Sequence, residues 1–286
     1  MNPYPKPMLE CVPNVSEGRD GAVLDALGRA CGQVLLDRHV DADHHRAVFT
    51  LAGDGLLDAV RALALAVAEH VDLRVHTGAH PRFGALDVVP FVALADAPIE
   101  HATIAAHDFG LWIVDALAVP VFLYDAADPA GRTLPDARRE AFTSRAPDLG
   151  PARPHPSLGA VAVGARPPLV AVNCELTTDD VAQARRIAGA VRERDGGLPG
   201  VRALGLGLSS IGRAQVSMNL VALGRTGLQP ACERVRELAR AAGTDVTRVE
   251  LVGLVPAVEL ERCDPAFLAW SGIGSDQSIE ARLSGA

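Results

Sequence analysis

The sequence predicts an α/β chain of the α+β kind, made of two ferredoxin-like βαββαβ subdomains. Three observations carry this. Apolar residues switch along the chain between strand and helix periods. The order strand, helix, two strands, helix, strand fills the second half and opens the first. The opening strands also echo each other, Val12-Pro13-Asn14-Val15 against Val172-Asn173-Cys174-Glu175.

Element by element, Leu9–Val15 reads as a strand and Gly21–Ala30 as a helix. Gln33–Val40 and Arg46–Ala52 read as strands joined by the polar turn Asp41–His45. Asp54 is a candidate cap for a helix to about His70, with Leu56, Val60, Leu63 and Val67 on one stripe. Asp87–Leu94 is a strand, Ile99–Leu117 a helix and Val119–Tyr124 another strand. Residues 126–157, rich in Pro, Arg, Asp and Ala, are part helix and part long loop.

The second set begins with the strand Leu169–Leu176. Thr178 or Asp179 then starts a helix to about Arg194. Val201–Leu208 and Ala214–Leu223 form a hairpin, a helix spans Leu228–Ala241, and Thr247–Val255 closes the set. Arg166-Pro167-Pro168 marks the boundary, giving domains 1–166 and 167–286. In such a unit the helices cover one face of the sheet. Val216, Met218 and Leu220 should face them, leaving Gln215, Ser217 and Asn219 on the other face. That face either meets solvent or lines an interdomain cleft, and the sequence favours neither.

The bulk numbers exclude several classes. A chain of 286 residues, 49% hydrophobic and 22% charged, can bury a sizeable core. A net charge of −8 and 4% aromatics argue against nucleic acid as a partner. No uncharged apolar run reaches the roughly 18 residues of a membrane span, and Met1–Lys6 has no apolar signal region. The odd set Cys11, Cys31, Cys174, Cys232 and Cys263 has no C-x-x-C pair, as expected of reduced thiols in a cytoplasmic protein.

The chemistry concentrates in His76-Thr77-Gly78-Ala79-His80-Pro81-Arg82-Phe83-Gly84-Ala85-Leu86-Asp87. Gly78 and Pro81 disfavour a helix, and the polarity disfavours a buried strand. A loop holding a proton carrier, an anion binder and a carboxylate is a place for catalysis. His76 and His80, with His44 and His45 elsewhere, raise a metal site. The i, i+4 spacing chelates only on a helix, however, and there is no H-E-x-x-H or cysteine cluster. An acid/base role for His80, oriented by Arg82 or Asp87, fits better. A lone loop histidine usually bonds a backbone carbonyl; its charged neighbours shift the reading toward chemistry. Asp41-Ala42-Asp43-His44-His45-Arg46 is a hairpin turn unless it meets the His80 loop in space.

Two further segments carry weaker signals. Gly205–Gly212 faintly resembles a phosphate loop, but lacks its lysine and leads into a strand, so it reads as a hairpin turn. Gly150-Pro151-Ala152-Arg153-Pro154-His155-Pro156-Ser157-Leu158-Gly159, stiffened by three prolines, is either an interdomain linker or a ligand-lining segment.

Four stretches together resemble the formiminotransferase domain, the folate-dependent glutamate formimidoyltransferase of histidine breakdown. They are Glu10–Gly18, His80–Phe91, Gly164–Arg166 with Leu169–Asn173, and Ala214–Leu220. Their order and spacing agree from about residue 9 to residue 262. The third looks like the start of the family's second subdomain. The resemblance implies two ferredoxin-like subdomains with folate between them, and a homodimer. It makes His80 the catalytic histidine and Gly150–Gly159 the folate-binding segment. Ala79 stands where the family usually has Glu, and His45 where it often has Asn, which bears on fine substrate preference. Nothing resembles the cyclodeaminase domain fused to the transferase in some animals, so that enzyme, if present, is expected on a separate chain.

The expected reaction passes the formimino group of N-formimino-L-glutamate to N5 of tetrahydrofolate, with no metal. His80 moves the protons, Asp41 or Asp43 holds the amidinium, and Arg46 and Arg82 bind carboxylates. Gln215, Ser217 and Asn219 join the folate contacts. Three rivals keep other chemistry: formyl transfer from 5-formyltetrahydrofolate to glutamate at the same site, a metal-dependent formiminoglutamate hydrolase, and a non-catalytic folate binder.

Overall fold

The first strand is broken by its own proline. The computed structural model, which describes residues 8–76, 83–95, 97–208 and 210–285, divides it into β1 (Leu9–Cys11) and β2 (Asn14–Val15). Pro13 has no N–H for the ladder, so the pairing lapses there. Its carbonyl still accepts the Phe49 N–H at 3.0 Å, and Val12 N–H reaches the Pro90 carbonyl at 3.2 Å. The chain divides after Pro167 into two compact units.

In the first unit α1 (Gly21–Cys31) is capped by the Asp20 carboxylate, which accepts from Ala22 and Val23 N–H. The hairpin β3 (Leu35–Asp41) and β4 (Arg46–Ala52) follows, then α2 (Leu56–His70) and β5 (Leu86–Ala93). β3 pairs with β4, β4 with both pieces of the broken strand, and those with β5, all antiparallel. This is the ferredoxin-like part. The helix α3 (Ile99–Leu117), β6 (Val121–Asp125), α4 (Leu134–Glu140) and β7 (Val161–Arg166) extend it, with β7 parallel to both β5 and β6. Phe49, Leu51, Val89 and Phe91 pack against Leu27, Leu63, Phe109 and Ile113 of the three long helices. A smaller cluster of Val88, Phe122, Tyr124 and Ala162 lies with Ala137 of α4.

β7 was absent from the expected elements, and it relocates Gly164-Ala165-Arg166. The resemblance put these residues at the start of the second subdomain; they belong to the first sheet. Val161 to Ala165 are all buried, as in a strand with neighbours on both edges and cover on both faces. Such a run shows no alternation to read. Gly164 is required there, because a Cβ would lie 2.4 Å from the Tyr124 ring.

The second unit runs β8 (Val170–Leu176), α5 (Val181–Val191), β9 (Val201–Leu208), β10 (Arg213–Leu220), α6 (Leu228–Ala241), β11 (Val246–Val252). Its sheet order β11-β8-β10-β9, fully antiparallel, is ferredoxin-like. As expected, Val216, Met218 and Leu220 enter the core beside Ile187 of α5 and Val235 of α6. Gly205 serves packing: a Cβ would lie 2.2 Å from the Arg185 nitrogen of α5. Three short helices, α7 (Ala257–Glu261), α8 (Pro265–Ser271) and α9 (Ile279–Ser284), close the chain's described part. Each is too short to display a helical stripe.

Two caps differ from expectation. α2 starts after Gly55, which holds the N-cap position in a left-handed conformation, so the cap falls one residue later than Asp54. α5 is capped by Asp180, neither Thr178 nor Asp179, and ends at Val191 before a short 3-10 turn. The Asp180 carboxylate accepts from Ala182 N–H at 2.8 Å and Gln183 N–H at 3.1 Å. Asp180→Ala should cost about 1 kcal/mol of stability. A lower denaturant midpoint at unchanged slope would report it. Equal loss in Asp180→Asn would point away from capping, since Asn caps as well as Asp.

Candidate functional site

The β2–α1 turn crosses the tip of the β3–β4 hairpin at Gly18. A Cβ there would lie 2.4 Å from both the Arg46 nitrogen and the Asp41 carbonyl oxygen, so only glycine permits the crossing. Just before it, Glu17 Oε1 accepts the backbone N–H groups of Gly18, Arg19 and Asp20 at 2.8, 2.7 and 3.0 Å. Burial pushes this carboxyl up. The backbone bonds and the nearby His45 outweigh burial, and hold it below the usual carboxylate range.

His45 closes the hairpin tip in a left-handed conformation, φ 53°. Its Nδ1 lies 3.7 Å from Glu17 Oε1 and 2.8 Å from His76 Nε2. The two imidazoles meet edge-on, with centroids 3.9 Å apart. Thus the hairpin turn does meet the approach to the His80 segment. Asp41 is engaged locally: its Oδ1 accepts His44 N–H at 2.9 Å and its Oδ2 pairs with His44 Nδ1. Burial raises the Asp41 carboxyl, but these bonds to His44 bring it below its ordinary value.

The proline-rich segment meets the same loop. Leu73 N–H donates to the Ser157 carbonyl at 2.9 Å, Ala85 N–H to Leu158 at 2.9 Å, and Ala160 N–H to Phe83 at 3.0 Å. Ser157–Ala160 therefore ties down the chain on both sides of residues 77–82. This overturns the linker reading of Gly150–Gly159: the segment feeds β7 of the first unit. Its Gly150–Pro154 part, with Arg153, is exposed. The His155 ring stabilises the turn by accepting Leu158 N–H at 3.1 Å.

Beyond the loop, the buried Asp87 accepts Phe83 N–H at 2.8 Å through Oδ1 and pairs with the Arg138 guanidinium through Oδ2. Ser16 adds an Oγ–H bond to the Gly84 carbonyl at 2.8 Å. His80 and Arg82, with Thr77 to Ala79 and Pro81, lie outside the described residues. Asp41 and Arg46 stand at the hairpin tip beside His45. Gln215, Ser217 and Asn219 sit on β10 of the second unit. Of these, Gln215 is 1% exposed, and its Oε1 has no hydrogen-bond partner among the described residues. Opposite it in register is the buried Glu175, which Arg248 engages at 2.8 Å.

Sequence reasoning missed Glu17, the pairing of His76 with His45, and Arg138. His45 and His76 are 31 residues apart, with no local pattern linking them. Among the described residues, no three His, Cys, Asp or Glu converge as metal ligands. The five cysteines are buried free thiols. Burial pushes Cys11 and Cys31 up, Cys31 to about 12, so neither offers a thiolate at neutral pH. No helix among the described residues is long and apolar enough to cross a membrane.

The comparisons with known proteins agree along the chain. Residues 8–166 match the formiminotransferase domain, N-terminal subdomain, and residues 171–269 match the formiminotransferase domain. The chain belongs to the formiminotransferase family. A glutamate formimidoyltransferase of Streptococcus pyogenes serotype M1 is 37% identical over 270 residues, 88% of this chain and 90% of the relative. One from Thermoplasma acidophilum is 35% identical over 295 residues, 96% of this chain and 97% of the relative. A formimidoyltransferase-cyclodeaminase of Rattus norvegicus is 36% identical over 87% of this chain, which spans 50% of that protein. For this formiminotransferase, the matched segments include every loop and turn gathered above.

Proposed function

We propose that the chain is a glutamate formimidoyltransferase, moving the formimino group of N-formimino-L-glutamate to N5 of tetrahydrofolate. The similarity to glutamate formimidoyltransferases over most of the chain is the observation that carries this. The geometry supports it. The turn bearing Asp41 and Arg46, and the segment Gly150–Gly159, both attach to the flanks of the sequence that holds His80 and Arg82.

In this reading N5 attacks the amidine carbon and a tetrahedral intermediate forms. His80 takes the N5 proton and returns one to the departing glutamate nitrogen, which leaves poorly unless protonated. Arg46 and Arg82 bind carboxylates, and Asp41 supplies negative charge for the cationic amidine. Gly150–Gly159 contacts folate. On the second unit Gln215, Ser217 and Asn219 are folate contacts, and a ligand N–H would satisfy Gln215 Oε1, which has no partner among the described residues. Residues 1–166 and 167–286 serve as the two subdomains of a cytoplasmic homodimer.

The test is to assay purified protein with formiminoglutamate, with and without tetrahydrofolate, before and after exhaustive chelation. Transfer should require folate and survive chelation. Folate-independent breakdown that stops on chelation would instead establish the metal-dependent hydrolase. Faster formyl transfer from 5-formyltetrahydrofolate to glutamate would establish the formyl rival.

A further inference from the structure

The His45–His76 contact has a chemistry of its own. A bond between two imidazole nitrogens needs one hydrogen between them: two would repel, and none would leave facing lone pairs. At 2.8 Å, His45 Nδ1 and His76 Nε2 meet that condition. Glu17 biases where the hydrogen sits. Its Oε1, 3.7 Å from His45 Nδ1, belongs to a carboxylate held ionised by three backbone N–H groups. Negative charge beside Nδ1 favours the hydrogen on His45, with His76 Nε2 accepting.

The backbone is bent to make this contact. His45 adopts a left-handed conformation that non-glycine residues seldom take, and the bend brings its ring to His76. His76 is the last described residue before the segment that holds His80. Beyond that segment, Phe83 N–H is fixed by Asp87. The Asp87 carboxylate thus holds Phe83, while His76 is held by a side-chain bond to His45, three residues beyond the backbone bond that anchors Leu73 to Ser157.

We infer that His45 is a positioning residue: backed by Glu17, it holds His76 and so fixes where the chain enters the segment carrying His80. This rests on the proposed function, in which His80 must meet both substrates in register. A displacement of about 1 Å in a reacting group can slow turnover roughly a hundredfold. Loss of the contact should therefore lower kcat and leave KM nearly alone.

Three measurements test it. His45→Ala should lower kcat by roughly ten- to a hundredfold, with KM for both substrates within about twofold. His45→Asn should recover most of kcat, because its amide N–H can stand where Nδ1–H stood. In protein labelled with 15N-histidine, nuclear magnetic resonance should show coupling across the hydrogen bond from His45 Nδ1 to His76 Nε2. Asn as slow as Ala, both as fast as the unmodified chain, or no coupling in the labelled protein would each overturn the inference. An unmodified chain that transfers no formimino group sinks the proposed function itself; an active one indifferent to these variants sinks only the role of His45.

Discussion

His80→Ala is expected to lower turnover by roughly two to four powers of ten, the range for loss of a general acid–base group. The reaction asks for two proton transfers on nitrogen. N5 becomes cationic as it attacks, and the glutamate nitrogen must gain a proton to depart. An imidazole titrating near neutrality can do both in sequence. Folate affinity should change far less, since a proton carrier acts on the transition state more than on the bound ground state. The measurement pairs steady-state kinetics with folate binding on the folded variant. Near-normal turnover would remove His80 from the mechanism, and another proton carrier would have to take its place.

Gly84→Ala should damage stability and turnover together. A Cβ at Gly84 would lie 1.9 Å from the Ala160 carbonyl oxygen and 3.0 Å from the Leu158 carbonyl oxygen. Neither can yield freely. Ala160 N–H is bonded to the Phe83 carbonyl at 3.0 Å, and Ala85 N–H to the Leu158 carbonyl at 2.9 Å. Overpacking of this kind costs about 1–3 kcal/mol. The same crossing ties Gly150–Gly159 to the chain beyond His80, so turnover should fall as well. Gly21→Ala is the control, because a Cβ there meets nothing within 4 Å and the residue opens α1. If Gly84→Ala melted and turned over like Gly21→Ala, the crossing would not be as close as described.

Much of this was legible in the sequence, because it depends on local period. Arg46–Ala52, Ile99–Leu117, Val201–Leu208 and Leu228–Ala241 were read to the residue. In the last three one face or stripe is apolar, whereas Arg46–Ala52 is a continuous buried run marked off by the polar turn before it and Gly53 after it. The alternation in Gln215–Leu220 likewise told which side chains enter the core. The crowding of His80, Arg82 and Asp87 beside two glycines and a proline is visible in the sequence; of these residues the structure describes Asp87, buried and paired with Arg138.

The tertiary structure alone decided what depends on distant segments meeting. β7 has neighbours on both edges and cover on both faces, so its run of small apolar residues carries no alternation to mark it as a strand. Gly84 and Gly164 are glycines because of Ala160 and Tyr124, which no local pattern announces. His45 and His76 share a hydrogen bond because the hairpin tip and the loop approach converge, and Glu17 stands behind them because Gly18 lets the turn cross the hairpin. Periodicity records what each segment buries, whereas a bond between two imidazoles records where two segments end up, and that is set by packing the sheet.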